Sequence, residues 1–275
     1  MKTAFALGAG FLVLAAIAPA KAADLPMPAT APILPAFSWS WTGVYLGNNV
    51  GYGWENQSFN LTAVNALGTA TLSGSSNGSG WLLGGQVGFN YELPAHFVVG
   101  IEADGDWANI SGSSSGCSTF TTGTHVGAVA GCGTNSAQID DFGTVRGRIG
   151  YAWNNVLFYG TGGWAWGNSS GTHTTTCVSG FPPVCPGGSL TFTGGGASFS
   201  NSLSGWAAGV GVEWAFLLPH WTVRLEYLHV EFDNVTTNYN TTITVNAVNQ
   251  TASTSVTSNN GINIVRAGVS YLFNL

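Results

Sequence analysis

The last residues of the chain, Val265–Leu275, read VRAGVSYLFNL, and their pattern indicates the kind of fold. Hydrophobic side chains occupy every second position from Val265 to Phe273, whereas Arg266 lies on the opposite parity. Because successive side chains of a β-strand point to opposite faces, the pattern predicts a strand with one apolar and one polar face. The arginine on the polar face then needs partners that the rest of the chain must supply.

The same alternation recurs in seven further segments, each at least as long as the roughly 9–11 residues that a tilted strand needs to cross a bilayer. The connections after strands two, four and six are short, and the others are long and rich in Ser, Thr, Gly and Asn. This arrangement predicts an all-β fold, an eight-stranded antiparallel up-and-down transmembrane β-barrel with four long extracellular loops. The predicted strands are Trp41–Trp54, Trp81–Tyr91, His96–Trp107, Phe142–Trp153, Val156–Trp166, Leu203–Phe216, Trp221–Phe232 and Ile262–Phe273.

Aromatic residues concentrate at both ends of these strands, which is typical of the two interfaces of a membrane. The rings expected at the outer rim are Trp54, Trp81, Trp107, Trp164, Trp166, Trp206 and Phe232. Those expected at the periplasmic rim are Trp41, Tyr91, Phe97, Tyr151, Trp153, Phe158, Trp214, Trp221, Tyr271 and Phe273.

The N-terminus has the features of a secretory signal peptide. Lys2 precedes the apolar run Ala4–Ala18, and Ala20-Lys21-Ala22 is a small-residue cleavage site. We therefore predict a cleaved signal over residues 1–22, a Pro-rich periplasmic leader over residues 23–38, and the barrel over residues 39–275. Only 7% of the chain is charged, against about 25% in typical soluble domains. Beyond the predicted signal there are four arginines, no lysine and twelve acidic residues, so we expect no nucleic-acid partner.

The charges within the predicted strands share the face opposite the apolar one. In an eight-stranded barrel the interior is just wide enough for side chains, so we interpret these charges as a structural ionic core. A narrow ion-conducting path is the alternative. Three of the carboxylates also have the spacing of a metal site, but the facing arginines favour salt bridges, and no metal is predicted. We call the nine residues the lumen ionic cluster: Glu102, Asp104, Asp106, Arg146, Arg148, Glu213, Arg224, Glu226 and Arg266.

The four cysteines form two pairs that are close in sequence, Cys117 with Cys132 and Cys177 with Cys185. An exported chain folds in an oxidising compartment, so we predict two local disulfides. The histidines are scattered and no catalytic motif is recognisable, so we predict no enzyme and no cofactor. Haem binding through His125 or His173 is the alternative.

Several short motifs resemble one known family. They are Ala23-Asp24-Leu25-Pro26, Trp41-Thr42-Gly43-Val44-Tyr45-Leu46-Gly47, Arg224-Leu225-Glu226-Tyr227, and the terminal pattern of Arg266, Gly268, Tyr271 and Phe273. Together they resemble the small outer-membrane β-barrel proteins of alphaproteobacteria, known as porin-family or outer-membrane immunogenic proteins and related in fold to opacity and OmpA-type barrels. The chain departs from that pattern in two ways: Asn274 and Leu275 follow the terminal aromatic residue, and the loops carry cysteines.

The resemblance implies a bacterial outer-membrane protein that the barrel assembly machinery inserts by recognising Gly268, Tyr271 and Phe273. It implies contact with outer-membrane lipid and lipopolysaccharide, and a structural or surface-interaction role in the cell envelope, without catalysis. Some relatives are porins or bind haemin, so a narrow porin-like channel and a haemin-binding surface protein are the alternatives. The oligomeric state does not follow from the resemblance.

Overall fold

The computed structural model describes residues 39–65, 68–122, 129–176, 197–215, 219–245 and 248–274. Each strand pairs antiparallel with its neighbours in sequence, and β1 also pairs with β8, which closes the barrel. The predicted eight-stranded antiparallel barrel is therefore confirmed. The strands are β1 Gly43–Asn65, β2 Gly68–Glu92, β3 Phe97–Phe120, β4 Val129–Trp153, β5 Val156–Thr176, β6 Ala197–Ala215, β7 Trp221–Val245 and β8 Val248–Asn274.

The predicted signal and leader, residues 1–38, lie outside the described residues. Among the residues that the structure does describe, no helix is long and apolar enough to cross a membrane.

The strands are longer than predicted, and two of the segments expected to be long loops are instead strand. β1 continues past Trp54 to Asn65, and β2 begins at Gly68, so only residues 66 and 67 connect them. Residues 246 and 247 likewise connect β7 with β8. The predicted loops over these segments were wrong because Ser, Thr, Asn and Gly dilute the apolar–polar alternation there. The alternation still continues, since Phe59 and Leu61 of β1 are buried inside the barrel.

The apolar parity of the strands forms a belt on the outside of the barrel. Ile101 of β3 is 66% exposed, and Val145, Val210 and Leu225 on other strands are similarly exposed. In water such a belt would be an association hazard, but in a bilayer it is the surface that contacts lipid.

Most of the predicted aromatic rings lie at the two edges of this belt, but two of them do not. Trp41 and Phe232 are each only 1% exposed, and both belong to apolar clusters inside the barrel. The prediction that Trp41 belongs to the periplasmic interface and Phe232 to the outer interface is therefore wrong. Phe232 has the same parity as Arg224, Glu226 and Leu228, which all face inward, and parity fixes the face.

The periplasmic turns are short, as predicted. Trp153 pairs with Val156 across the two-residue turn Asn154-Asn155. Asn154 has a φ of 54°, the left-handed conformation that Asn adopts more readily than most residues. This tight turn fixes the register of β4 and β5, and with it the height of the charges on β4.

Candidate functional site in the barrel lumen

The strand register places opposite charges side by side inside the barrel. Glu102 of β3 lies opposite Arg146 of β4, and Glu226 of β7 lies opposite Arg266 of β8. Glu213 of β6 lies opposite Arg224 of β7 in the same way. All nine residues of the lumen ionic cluster are buried, and the structure brings them together in one network.

All four arginines of the cluster connect strands that are not neighbours, and Arg266 and Arg146 show this most clearly. Arg266 Nη1 lies 3.1 Å from Asp104 Oδ1 and 3.0 Å from Asp106 Oδ2, both across the lumen on β3. Its Nε lies 2.6 Å from Glu226 Oε2. Arg146 of β4 likewise reaches Glu226, with Nη1 3.1 Å from Oε1. These cross-lumen pairs brace opposite walls of the barrel.

Glu102 is the carboxylate with the most partners in the cluster. It accepts hydrogen bonds from Arg146 Nη2 and Arg224 Nη1, each at 2.5 Å. The hydroxyl of Tyr45 also donates to it at 2.6 Å. Its two oxygens are therefore occupied by guanidinium groups and a phenol.

Arg148 lies on the periplasmic side of the cluster. Its Nη2 donates to Glu213 Oε2 at 2.7 Å, and its Cζ lies 3.8 Å from the centre of the Tyr159 ring. Thr222 donates to the other oxygen of Glu213 at 2.6 Å. An ion pair with a cation–π contact suits a guanidinium that is shielded from water.

Sequence reasoning missed Tyr45 and Tyr159, both of which belong to this network. Each lies on the parity of the inward face and between the two aromatic bands, where a lipid-facing ring is not expected. That combination was the available signal. Glycines on the adjacent strands make room for both rings, because a methyl group at Gly88 would overlap Tyr45 and one at Gly211 would overlap Tyr159.

The geometry does not suit a metal site built on Glu102, Asp104 and Asp106. Each of these carboxylates already contacts an arginine. Within the described ranges, no group of three or more His, Cys, Asp or Glu side chains is arranged to hold a metal ion.

An apolar layer fills the lumen on the outer side of the cluster. Leu228 and Val230 follow Glu226 on the inward face of β7 and are fully buried, as is Ile264 on β8. The register of β7 with β8 is regular from Trp221 to Phe232, so no bulge is needed to explain why Leu228 and Val230 share the inward parity of Glu226. We call this the outer apolar layer: Leu82, Ile110, Ile139, Phe142, Ala165, Leu203, Ala207, Leu228, Val230, Phe232, Ile262 and Ile264.

A second apolar layer lies at the periplasmic end. It consists of Trp41, Val98, Ala152, Leu157, Tyr159 and Ala215, with Trp39 packed against it. The backbone N–H of Trp41 donates to Glu92 Oε2 at 3.0 Å, and the backbone N–H of Glu92 donates to Thr42 Oγ1 at 2.9 Å. These two bonds hold the start of the barrel chain over the periplasmic mouth.

A small cavity with polar and apolar walls lies beyond the outer apolar layer. It has a volume of about 30 Å³ and is enclosed by β1 and β4 to β8. We call it the Glu55 cavity. Its polar lining includes Glu55, Gln57, Ser169, His173 and Asn201, and its apolar lining includes Ile139, Phe199, Val235 and Val256. Burial raises the pKa of the Glu55 carboxyl to about 7 and lowers the pKa of His173. The predicted first strand ends at Trp54, so the sequence pattern does not predict Glu55 as a lumen residue.

The structure describes only some of the cysteines and histidines that the sequence singled out. Cys117 is disulfide-bonded, and the position opposite it on β4 is Cys132. Cys177, Cys185 and His125 lie outside the described residues.

The residues of the predicted insertion signal lie near the end of β8. The rings of Tyr271 and Phe273 are in contact, with centroids 4.8 Å apart. Gly268 faces inward, where a methyl group would overlap the backbone carbonyl oxygen of Asn48.

Comparison with known proteins agrees with this architecture. The family model for the outer membrane protein beta-barrel domain matches residues 9–273. The 31 kDa outer-membrane immunogenic protein of Brucella melitensis is 28% identical over 227 residues, which cover 77% of this chain and 80% of that protein. The 25 kDa outer-membrane immunogenic protein of Brucella canis is 26% identical over 246 residues, which cover 90% and 85%. Among solved structures, the outer membrane protease OmpT from Escherichia coli is similar with a TM-score of 0.42 and 10% identity, over 83% of this chain and 97% of that one.

Proposed function

The chain belongs to the family of outer membrane protein beta-barrel domains and is a protein of the bacterial outer membrane, and from this premise we propose that it is a structural, non-conducting and non-catalytic barrel of the cell envelope. In this role the protein forms a rigid barrel across the membrane and presents a polar surface outside the cell.

The observation that carries the proposal is the filling of the lumen by three successive layers. From the periplasm outward these are the apolar layer around Trp41, the lumen ionic cluster and the outer apolar layer. A conducting pore needs a continuous polar path, and apolar constrictions exclude water and ions. Leu228, Phe232 and Ile264 occupy the position where such a path would leave the cluster.

The contacts of the cluster support a structural role. Arg146, Arg148 and Arg266 each contact two or more partners, and Arg224 donates to Glu102 across the lumen. An ion that moved through this layer would have to break charge-assisted hydrogen bonds in a site shielded from water. Breaking them is costly, because the separated charges have no solvent to replace their partners.

The outer part of the barrel supports a surface role. From Glu55 to Asn65, β1 extends about 35 Å at about 3.3 Å per residue. The outward side chains there include Asn56, Ser58 and Asn60, which are exposed and uncharged. The relatives with similar sequences are named immunogenic outer-membrane proteins, which agrees with a chain whose outer surface faces the surroundings of the cell.

Contact with lipopolysaccharide is also part of the proposal, and the charges indicate which part of the lipid is contacted. All four arginines of the barrel are buried in the lumen, and the chain has no lysine after residue 21. The barrel wall therefore presents no arginine or lysine to lipid phosphates. We expect the contact to be made by acyl chains on the apolar belt and by rings such as Trp107, which is 75% exposed.

Haem binding has no support from the position of His173. This side chain is 8% exposed and faces the Glu55 cavity. A cavity of about 30 Å³ is far too small for a porphyrin ring.

Planar-bilayer recording tests the proposal directly. The barrel is refolded, its folding is checked by heat-modifiable migration in gels, and it is added to the bilayer beside a porin of known conductance as the insertion control. We expect the control to give conductance steps and this protein to give none. Reproducible steps whose size changes in Arg146→Gln would overturn the structural assignment.

A further inference from the structure

Glu55 differs from every acidic residue of the lumen ionic cluster because it has no cationic partner. Its side chain is 3% exposed, and within the described part of the chain its carboxylate has no salt bridge or side-chain hydrogen bond. Its Oε1 lies against the backbone of Gly78, where any larger residue would overlap it. An ionised carboxylate at such a site is costly unless a positive charge accompanies it.

The Glu55 cavity offers space for that charge. It is closed by six strands, and its volume of about 30 Å³ corresponds to roughly two water-sized spheres. A larger organic cation or a lysine side chain from another protein would not fit. A single ion with one water molecule would.

The neutral side chains around the cavity supply oxygen atoms. The amide nitrogen of Asn201 donates to Thr237 Oγ1 at 3.3 Å. The nitrogen end of this amide is thus engaged, which leaves its carbonyl oxygen as the end available to a ligand. Carboxylate and carbonyl oxygens are ligands for hard cations.

The charge balance selects the valence of the cation. Glu55 is the one acidic side chain among the described residues that enclose the cavity. A divalent ion would leave an uncompensated positive charge in an enclosed site, whereas a monovalent ion would give a neutral pair. We propose that the Glu55 cavity binds one monovalent alkali cation, K⁺ or Na⁺, coordinated by Glu55 and by neutral oxygens, and that this ion ties together the strands of the outer barrel. This proposal is independent of the conduction test above.

Two measurements on the refolded full-length barrel test the site at pH 8. The first is anomalous diffraction from crystals soaked in Rb⁺, which serves as the probe for K⁺. The second is the thermal unfolding midpoint in KCl, in NaCl and in N-methyl-D-glucamine chloride at equal ionic strength. Because a ligand that binds only the folded state stabilises it by mass action, we expect the midpoint to rise with K⁺ or Na⁺ concentration and then to saturate.

The matched variants are Glu55→Gln and Glu231→Gln. The first keeps the shape of the side chain and removes the charge, so we expect it to lose both the Rb⁺ peak and the cation-dependent rise of the midpoint. The second removes a half-buried carboxylate of β7 that is hydrogen-bonded to Asn259, and we expect it to retain both. The proposal is overturned if the wild-type cavity shows no Rb⁺ peak, or if N-methyl-D-glucamine raises the midpoint as much as K⁺ and Na⁺ do.

Discussion

Arg266 of β8 and Asp104 of β3 meet across the lumen, with Nη1 of the arginine 3.1 Å from Oδ1 of the aspartate. The two strands are not adjacent in the sheet, so this ion pair connects opposite walls. It also explains why an arginine is placed in the middle of an apolar terminal strand. The side chain faces the interior, where carboxylates from β3 and β7 surround it.

Replacing Arg266 with Met should destabilise the barrel strongly. The change leaves Asp104, Asp106 and Glu226 with less counter-charge in a buried site, and breaking such a network costs about 3–5 kcal/mol. The measurement is the free energy of unfolding from urea titration in lipid vesicles. Val265→Leu, one residue away on the lipid face, is the control and should change it by less than about 0.5 kcal/mol. A loss below about 1 kcal/mol in Arg266→Met would contradict the bracing role.

Replacing Gly88 with Ala should be far more harmful than replacing Gly105 with Ala. A methyl group at Gly88 overlaps the Tyr45 ring and would push its hydroxyl away from Glu102, whereas one at Gly105 meets nothing within 4 Å. Overpacking of this kind costs about 1–3 kcal/mol. Both variants are compared with the wild type by urea unfolding. Equal stabilities would show that the Tyr45–Glu102 contact contributes nothing.

Much of this architecture was predictable because the membrane imposes a strict pattern on the strands. A charge on the lipid face is costly, so the parity of the arginines separates inside from outside without any structure. The same parity could have placed Tyr45 inside, but aromatic residues were assigned to the interfaces by type alone. Trp41 and Phe232 were misplaced for that reason.

The outer part of the barrel could not be predicted from alternation. Beyond Trp54 both faces of the strands carry Ser, Thr, Asn and Gly, so the contrast between the faces disappears. What holds the strands there is the hydrogen-bonded ladder and a few inward apolar residues such as Phe59. The cross-lumen partner of each arginine was also unpredictable, since it depends on register and on the path of a long side chain.

The disulfide pairing is predicted to be local. Cys117 and Cys132 lie opposite each other on β3 and β4, and linking them closes a short loop, which stabilises by about 3 kcal/mol in the chain-entropy model. Peptide mapping by mass spectrometry without reduction should recover this pair and the pair of Cys177 with Cys185. Reduction should then lower the unfolding midpoint. Free thiols in the folded protein would contradict the prediction.

An arginine on the apolar belt should be tolerated much less well than one on the outer extension. Ile101 lies between the two aromatic bands and faces outward, so Ile101→Arg should cost about 2–4 kcal/mol in lipid vesicles. Thr62→Arg, at an exposed position of β1 beyond Trp54, is the comparison and should cost less than about 0.5 kcal/mol. Urea titration in vesicles measures both. If both substitutions lower the free energy of unfolding by a similar amount, the outer boundary of the membrane does not lie at the outer aromatic rim.

Glu55 should make the stability depend on pH. Burial raises its pKa from 4.5 to about 7, so between these values the folded state holds a proton that the unfolded chain has released. The free energy of unfolding should therefore fall as the pH rises from about 4.5 to 7, and the contribution of Glu55 should stay constant above pH 7.

The Glu55→Gln variant cannot ionise, so it should match the wild type near pH 4 and be more stable at pH 8 by about 1–3 kcal/mol. Urea unfolding with N-methyl-D-glucamine as the only cation measures the difference. His173, the other titratable side chain at the cavity, is present in both proteins. If the two proteins show the same pH profile, Glu55 is already ionised in the folded barrel at pH 5 and the buried site is more polar than its geometry indicates.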